Sequence, residues 1–241
     1  MTAHTPDAFL GSVAAALSDP EPLAFLAQAS SIVAALDPRL RDPLAPPGED
    51  GPDAALFLES LVGHQVPETT ALLIALAQLL SDNHLAHRAR RAAAGRDHAM
   101  PGWLLGLDEA EPGPAAVSTD VLGDGQNTIV SARLVDGHQL TAVVFIDHNL
   151  GTVAKDAFLV PGDLASFRSE FLSLVDEPEA MTFTDLHPAE ARAQIEQALE
   201  MGGATVPRYE TDTWPAAQPI VEWLIGMLPA GGTGFDRPEW T

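Results

Sequence analysis

The chain has 241 residues, 46% of them hydrophobic and 19% charged, long and apolar enough to bury one large or two small cores. Twelve basic residues stand against 34 acidic ones, giving a formal charge of −22 and a pI near 4.4; such a surface repels phosphate backbones and anionic lipid heads. There are no cysteines, which excludes disulfides, thiolate metal ligands and cysteine nucleophiles.

Met1 to Leu10 lacks the basic start and apolar run of a secretory signal. The longest apolar stretch, Ala71 to Leu80, contains Gln78 and is too short to span a bilayer. A soluble, cytoplasmic protein without membrane contact is the resulting expectation. Composition divides near residue 110. Residues 1–110 carry a net −8, are rich in alanine and leucine and have almost no β-branched runs, which favours helix. Residues 111–241 carry −14 and nearly all of the strand-like alternation. The expected fold is α+β: an amino-terminal helical bundle over 1–110, then an α+β module over 111–241 with a mixed or antiparallel β-sheet and packed helices. No internal repeat is present.

Pro6 and Asp7 open a first helix with Phe9, Leu10, Val13 and Leu17 on one stripe. Ser18-Asp19-Pro20 stops it, and a second helix is predicted over roughly 21–36. Asp37 to Asp53 holds five prolines and reads as a loop. A third helix near 53–63 places Leu56, Leu61 and Val62 around Phe57. A fourth is predicted from Pro67 to about Ala94, apolar in its first half, polar and basic in its second; four helices suffice for a small bundle. Glu111-Pro112-Gly113-Pro114 marks the boundary. Val117–Leu122 is a predicted strand, and Thr128–Leu134 and Leu140–Ile146 flank the hairpin signal Asp136-Gly137, a pair that readily takes positive φ at both turn positions. The second of these strands is apolar on both faces, which predicts cover on both sides. Thr152–Val160 is a further strand, Leu164–Val175 a helix and Met181–Thr184 a short strand. Pro188 heads a helix stopped by Gly202-Gly203. Thr211-Asp212-Thr213-Trp214-Pro215 launches a last, apolar helix over about Pro219–Leu228, placed in the core or, as a second use, in a homo-oligomer interface. The glycine-rich tail beyond Pro229, with Phe235 and Trp240, reads as mobile.

Four residues are the candidate catalytic set. Asp147 and His148 end an apolar strand, where a carboxylate beside an imidazole can orient a general base, while the same residues with Asn149 also suit a plain turn. Lys155 and Asp156 lie mid-strand among apolar residues. Simple pairing about the turn sets Asp156 opposite Ala142 and Lys155 opposite Val143, on opposite faces, so each charge needs a partner, water or a ligand. The same register puts Asp147 about five residues, on the order of 15 Å, from the position facing Asp156. His84 and His87 share a helix face, but no third ligand accompanies them, and no metal site is assigned. Arg88, Arg90 and Arg91, followed by Arg96, form a candidate binding patch for a phosphate, a nucleic acid or an acidic partner; the overall charge disfavours nucleic acid, and cations at a helix carboxyl end equally complement its dipole. Phosphate loops, dinucleotide fingerprints, H-E-x-x-H and G-x-S-x-G are absent, and no cofactor is implied.

The leading expectation is therefore an acidic protein that acts by protein–protein interaction or regulation. The alternative is a small hydrolase or anionic-ligand-binding enzyme using the Asp147, His148, Lys155 and Asp156 cluster.

Overall fold

In the computed structural model, which describes residues 6–41, 44, 51–174, 181–208, 211 and 213–235, each helix of the amino-terminal half starts where the chain supplies a proline or an aspartate. Proline suits a first helical position because its missing N–H has no intrahelical acceptor there, and an aspartate oxygen takes up the unpaired N–H groups of a first turn. The helices are α1 (Pro6–Leu17), α2 (Pro22–Leu36), α3 (Ala54–Gly63), α4 (Pro67–Leu79), α5 (Asn83–Ala94) and the single turn α6 (Gly102–Leu105), with a 3-10 turn at Pro38–Leu40. Residues 42, 43 and 45–50 of the proline-rich loop, Val175 at the end of the predicted 164–175 helix, Asp212, and Trp240 of the tail lie outside the described residues.

The chain divides into two compact units: Met1–Ala110 with Leu134–His138 and Ala216–Ile220, and Glu111–Arg133 with Gln139–Pro215 and Val221–Thr241. In the first, α4 is the hub, packing against α1, α2, α3 and α5. Leu72, Leu73 and Leu76 of α4 are buried, as are Phe25 and Leu26 of α2, and the Phe25 ring meets Trp103 edge-on at 5.8 Å. The predicted 67–94 helix is two helices. Leu80 turns extended, and Asp82 Oδ1 accepts the N–H groups of His84 and Leu85 at 2.8 and 3.2 Å, starting α5 afresh. In α3 the buried residues are Leu58 and Leu61; Leu56, expected inside, is 65% exposed. Arg96 leaves the basic run to staple two helices. Its Nη2 donates to the Leu61 and Val62 carbonyls at the end of α3, and its Nη1 to the Thr69 and Thr70 hydroxyls at the start of α4. Burial lowers its pKa.

The second unit is built on β1 (Glu111–Asp120), β2 (Gly125–Arg133), β3 (Gln139–Asp147), β4 (Val153–Pro161), α7 (Leu164–Leu174), β5 (Met181–Leu186) and α8 (Pro188–Ala204). The sheet is wholly antiparallel, in the order β4-β3-β2-β1-β5. β1 starts at the Glu-Pro-Gly-Pro read as a boundary. Prolines are tolerated there because the register slips between Pro112 and Ala115, and Gly113 fits where a Cβ would run into Ser131. In the Asp136-Gly137 turn only the glycine takes positive φ (96°). Gly137 N–H bonds the Leu134 carbonyl and Leu134 N–H the His138 carbonyl, a three-residue loop in place of the two-residue turn.

Both faces of β3 are covered, as its apolar residues on both faces require. Ile129 and Val143 pack with Ala116 under Leu164 and Phe167 of α7. Gln126 and Thr128, on the opposite side of the pleat, bond Gln194 of α8. α8 runs through Gly202-Gly203, the predicted stop, to Ala204. At the β5 rim Arg168 donates to the Phe183 carbonyl at 3.1 Å, its guanidinium 4.6 Å from that ring centre, and at the β4 rim Thr211 N–H donates to the Lys155 carbonyl at 3.0 Å. The tail expected to be mobile is laid along α8 as far as Phe235: Thr233 N–H bonds Glu190 at 2.8 Å, and Gln197 exchanges two hydrogen bonds with the Phe235 backbone.

The last helix, α9 (Trp214–Met227), begins five residues before the predicted start and holds Pro219 inside it. Proline breaks the ladder there. Ser30 of α2, fully buried, inserts its hydroxyl into the gap, donating to the Ala216 carbonyl at 2.6 Å and accepting from Ile220 N–H at 3.2 Å.

Candidate functional site

The β3–β4 end of the sheet holds the four candidate catalytic residues, in a register that differs from simple pairing. Asp156 faces Phe145, not Ala142, and Lys155 is the extra residue of a bulge between the Phe145–Asp156 and Ile146–Ala154 pairs. A bulge re-aims the side chain it carries. Lys155 thereby comes within reach of Asp147 instead of lying several residues along the strand from it, with Nζ to Oδ2 at 3.1 Å. Asp147 lies two residues from the position facing Asp156, about 7 Å along the strand, and not the five expected.

Asp147, Lys155 and one carboxylate oxygen of Asp156 are engaged by neighbouring groups of the fold. Asp147 Oδ1 accepts Leu150 N–H at 3.1 Å and so closes the turn, while Oδ2 holds Lys155. Asp156 Oδ1 accepts three bonds: its neighbour Ala157 N–H at 2.9 Å and the hydroxyls of Thr211 and Thr213 at 2.7 Å each. These threonines stand just before α9, so Asp156 anchors that loop to β4. His148 is drawn elsewhere. Its Nδ1 lies 3.3 Å from Thr152 Oγ1 and its ring meets Phe235 edge-on at 5.2 Å. Thr152 has φ +62°, a left-handed conformation costly for a β-branched residue. The structure thus brings together Asp147 with Lys155, and Asp156 with two threonines, while His148 pairs with neither carboxylate. The clasp can hold a turn and a loop. Both threonine hydroxyls donate to the Asp156 carboxylate, and among the described residues neither is hydrogen-bonded to a histidine.

The arginine patch is likewise divided. Arg88 pairs with Glu59 at 3.0 Å, Arg90 Nη2 donates to the Ala77 carbonyl at 3.3 Å, and Arg91 is exposed. His84 and His87 are exposed, and among the described residues no group of three or more histidines and acids is arranged to hold a metal ion. Among the described residues no helix is long and apolar enough to cross a membrane.

A site that sequence reasoning missed stands at the β1–β2 turn. The strand predicted to run to Leu122 ends at Asp120, because Asp120 Oδ1 accepts Leu122 N–H at 3.0 Å and Gly123 N–H at 2.9 Å and bends the chain there. Gly123 takes φ +69°, and the Asp124 carbonyl is held by His148 N–H at 2.9 Å. Val121 and Leu122 are left 76% and 75% exposed on a turn whose backbone is tied on both sides. The Asp-x-x-Gly spacing of 120–123 carried the signal; strand propensity of Val121 and Leu122 obscured it. No known family model, curated protein sequence or solved structure matches the chain.

Proposed function

We propose that this chain is a cytoplasmic interaction protein, acting on a protein partner and not as a hydrolase, and that the β1–β2 turn is its contact point. The observation that carries the reading is the pair Val121-Leu122, two adjacent aliphatic side chains three-quarters exposed on a turn fixed by Asp120 and Asp124. Scattered exposed aliphatics need no explanation, but a rigid presentation lowers the ordering cost of binding. Aspartates on either side, in a chain of charge −22, suit an apolar pocket with a basic rim and oppose an anionic membrane. The structural engagement of Asp147, Lys155 and Asp156 supports a binding role over turnover.

Burying two such side chains contributes about 3 kcal/mol, close to 100-fold in affinity. A photo-crosslinking residue at Leu122 identifies the partner, which is then purified and titrated. The double variant V121S/L122S is expected to bind about 100-fold more weakly with an unchanged melting temperature, and D124K to weaken binding by several-fold in low salt. Equal affinity of wild type and double variant overturns the proposal. Concentration-dependent self-association that V121S/L122S abolishes would identify a second copy as the occupant and overturn a separate partner.

A further inference from the structure

The helical unit contains a cleft of about 670 Å³, in the range of small-molecule sites, between the end of α2, the start of α3 and the α4–α5 junction. Its wall is largely aliphatic, with Val33, Leu36, Leu80 and Leu85 among the lining residues. Three aspartates and two arginines complete it, and all but one of these charges are answered internally. Asp37, 5% exposed at its side chain, receives Arg39 through Nε at 3.0 Å and Nη2 at 2.7 Å, and Ser81 at 3.3 Å. Burial works against its charge, but the Arg39 and Ser81 bonds outweigh it and hold the carboxyl below its ordinary pKa. Asp53 and Asp82 each take two N–H groups at the starts of α3 and α5, where the helix dipole favours negative charge.

Arg41 is the exception. Among the described residues its guanidinium makes one hydrogen bond, Nη2 to the Pro52 carbonyl at 3.0 Å, out of the five donors the group carries. Its Nε is buried without a partner, under Gly51, where a Cβ would come within 2.9 Å. A guanidinium shielded on one side from water and short of acceptors among the described residues, beside an aliphatic wall, is a receptor for an anion with an apolar body. The three aspartates narrow the class further, because a dianionic phosphate meets more repulsion there than a carboxylate does.

We infer that this cleft binds a small organic monocarboxylate, its head group on the free Arg41 donors and its apolar body along Val33, Leu36, Leu80 and Leu85. The inference is independent of the contact point at the β1–β2 turn.

Calorimetric titration of the full chain with octanoate, 2-naphthoate, octanol, 2-naphthol, octyl phosphate and octylamine tests it. At least one carboxylate is expected to bind one-to-one and at least tenfold more tightly than the alcohol, phosphate or amine of the same body. Arg41→Met, which keeps the aliphatic stem, is expected to weaken the carboxylate at least tenfold and leave the alcohol unchanged. Ala55→Phe, which fills the cleft from α3, is expected to abolish binding of both. Thermal unfolding of each variant confirms that it is folded. Alcohol binding equal to carboxylate binding, tighter phosphate or amine binding, no effect of Arg41→Met in a folded protein, or no carboxylate binding at millimolar concentration overturns the inference.

Discussion

Replacing Ser30 with alanine removes one oxygen and strands two backbone groups. The Ser30 hydroxyl both donates to the Ala216 carbonyl and accepts from Ile220 N–H, and Ser30 and Ile220 are both fully buried. An N–H left unpaired in the interior costs about 1–3 kcal/mol, and a carbonyl with a spare lone pair somewhat less, so Ser30→Ala is expected to cost about 2–4 kcal/mol. For a chain of this length that lowers the melting temperature by roughly 5–15 °C. Urea unfolding followed by circular dichroism gives the free energy, with an unchanged m-value showing that the unfolded state is not the cause. The decisive comparison is a double-mutant cycle with Pro219→Ala, which lets the helix close its own ladder and give Ile220 N–H and the Ala216 carbonyl to one another. Ser30→Ala should then cost at least about 1 kcal/mol less than in the parent. A cost under about 0.5 kcal/mol in the parent, or the same cost in both backgrounds, refutes the view that Ser30 repairs the proline break.

Asp156→Ala should destabilise by about 1–2 kcal/mol, since it removes the charged acceptor of three bonds while the threonine hydroxyls can turn to water. Its local signature is faster hydrogen exchange at Thr211 N–H, which bonds the Lys155 carbonyl; unchanged exchange there would show that Asp156 does not hold the loop. Glu190 has its pKa lowered, first by the Thr233 N–H bond and also by the Thr233 hydroxyl. A depressed folded-state pKa means a contribution fully present above the ordinary 4.5 and lost as the pH falls through the folded value. The protection of the Thr233 amide, relative to its intrinsic exchange rate, should therefore fall on acidification below about pH 4.5, and Glu190→Gln should remove that dependence; an acid response identical in the variant contradicts the assignment.

Helix starts were readable where a proline stood before an apolar stripe, as at Pro6, Pro67 and Pro188, because such a residue acts on backbone groups within one turn. The two-sided cover of β3 was readable from an equally local pattern, apolar residues on both faces between Leu140 and Ile146. The α4–α5 break was hidden by pattern: leucines up to Leu80 and the periodic stretch after Asn83 join smoothly, and Asp82 looked like one more polar residue when it is a cap. The bulge at Lys155 depends on how β4 meets β3, and the Ser30 insertion joins residues 186 and more positions apart, so neither is encoded in a window of neighbours. Of the candidate site, the turn character of Asp147 to Gly151 was legible from residue type. That Lys155 would pair with Asp147 was not, since it follows from the extra residue in the strand. The start of α9 was missed because Pro219 reads as a beginning, when a hydroxyl from α2 bridges the next rung, Ala216 to Ile220, of the ladder it interrupts.

The two rims of the sheet have a shared consequence for assembly. A lateral strand on either flank would need main-chain acceptors that are already occupied, Phe183 by a guanidinium and Lys155 by an amide of the segment leading into α9. Ribbon-like growth, copy upon copy, is thus obstructed at both margins by the molecule's own groups. Pairing at those two positions would have to displace the molecule's own groups, so a contact made through side chains and shape meets less resistance there than one made through the sheet margins.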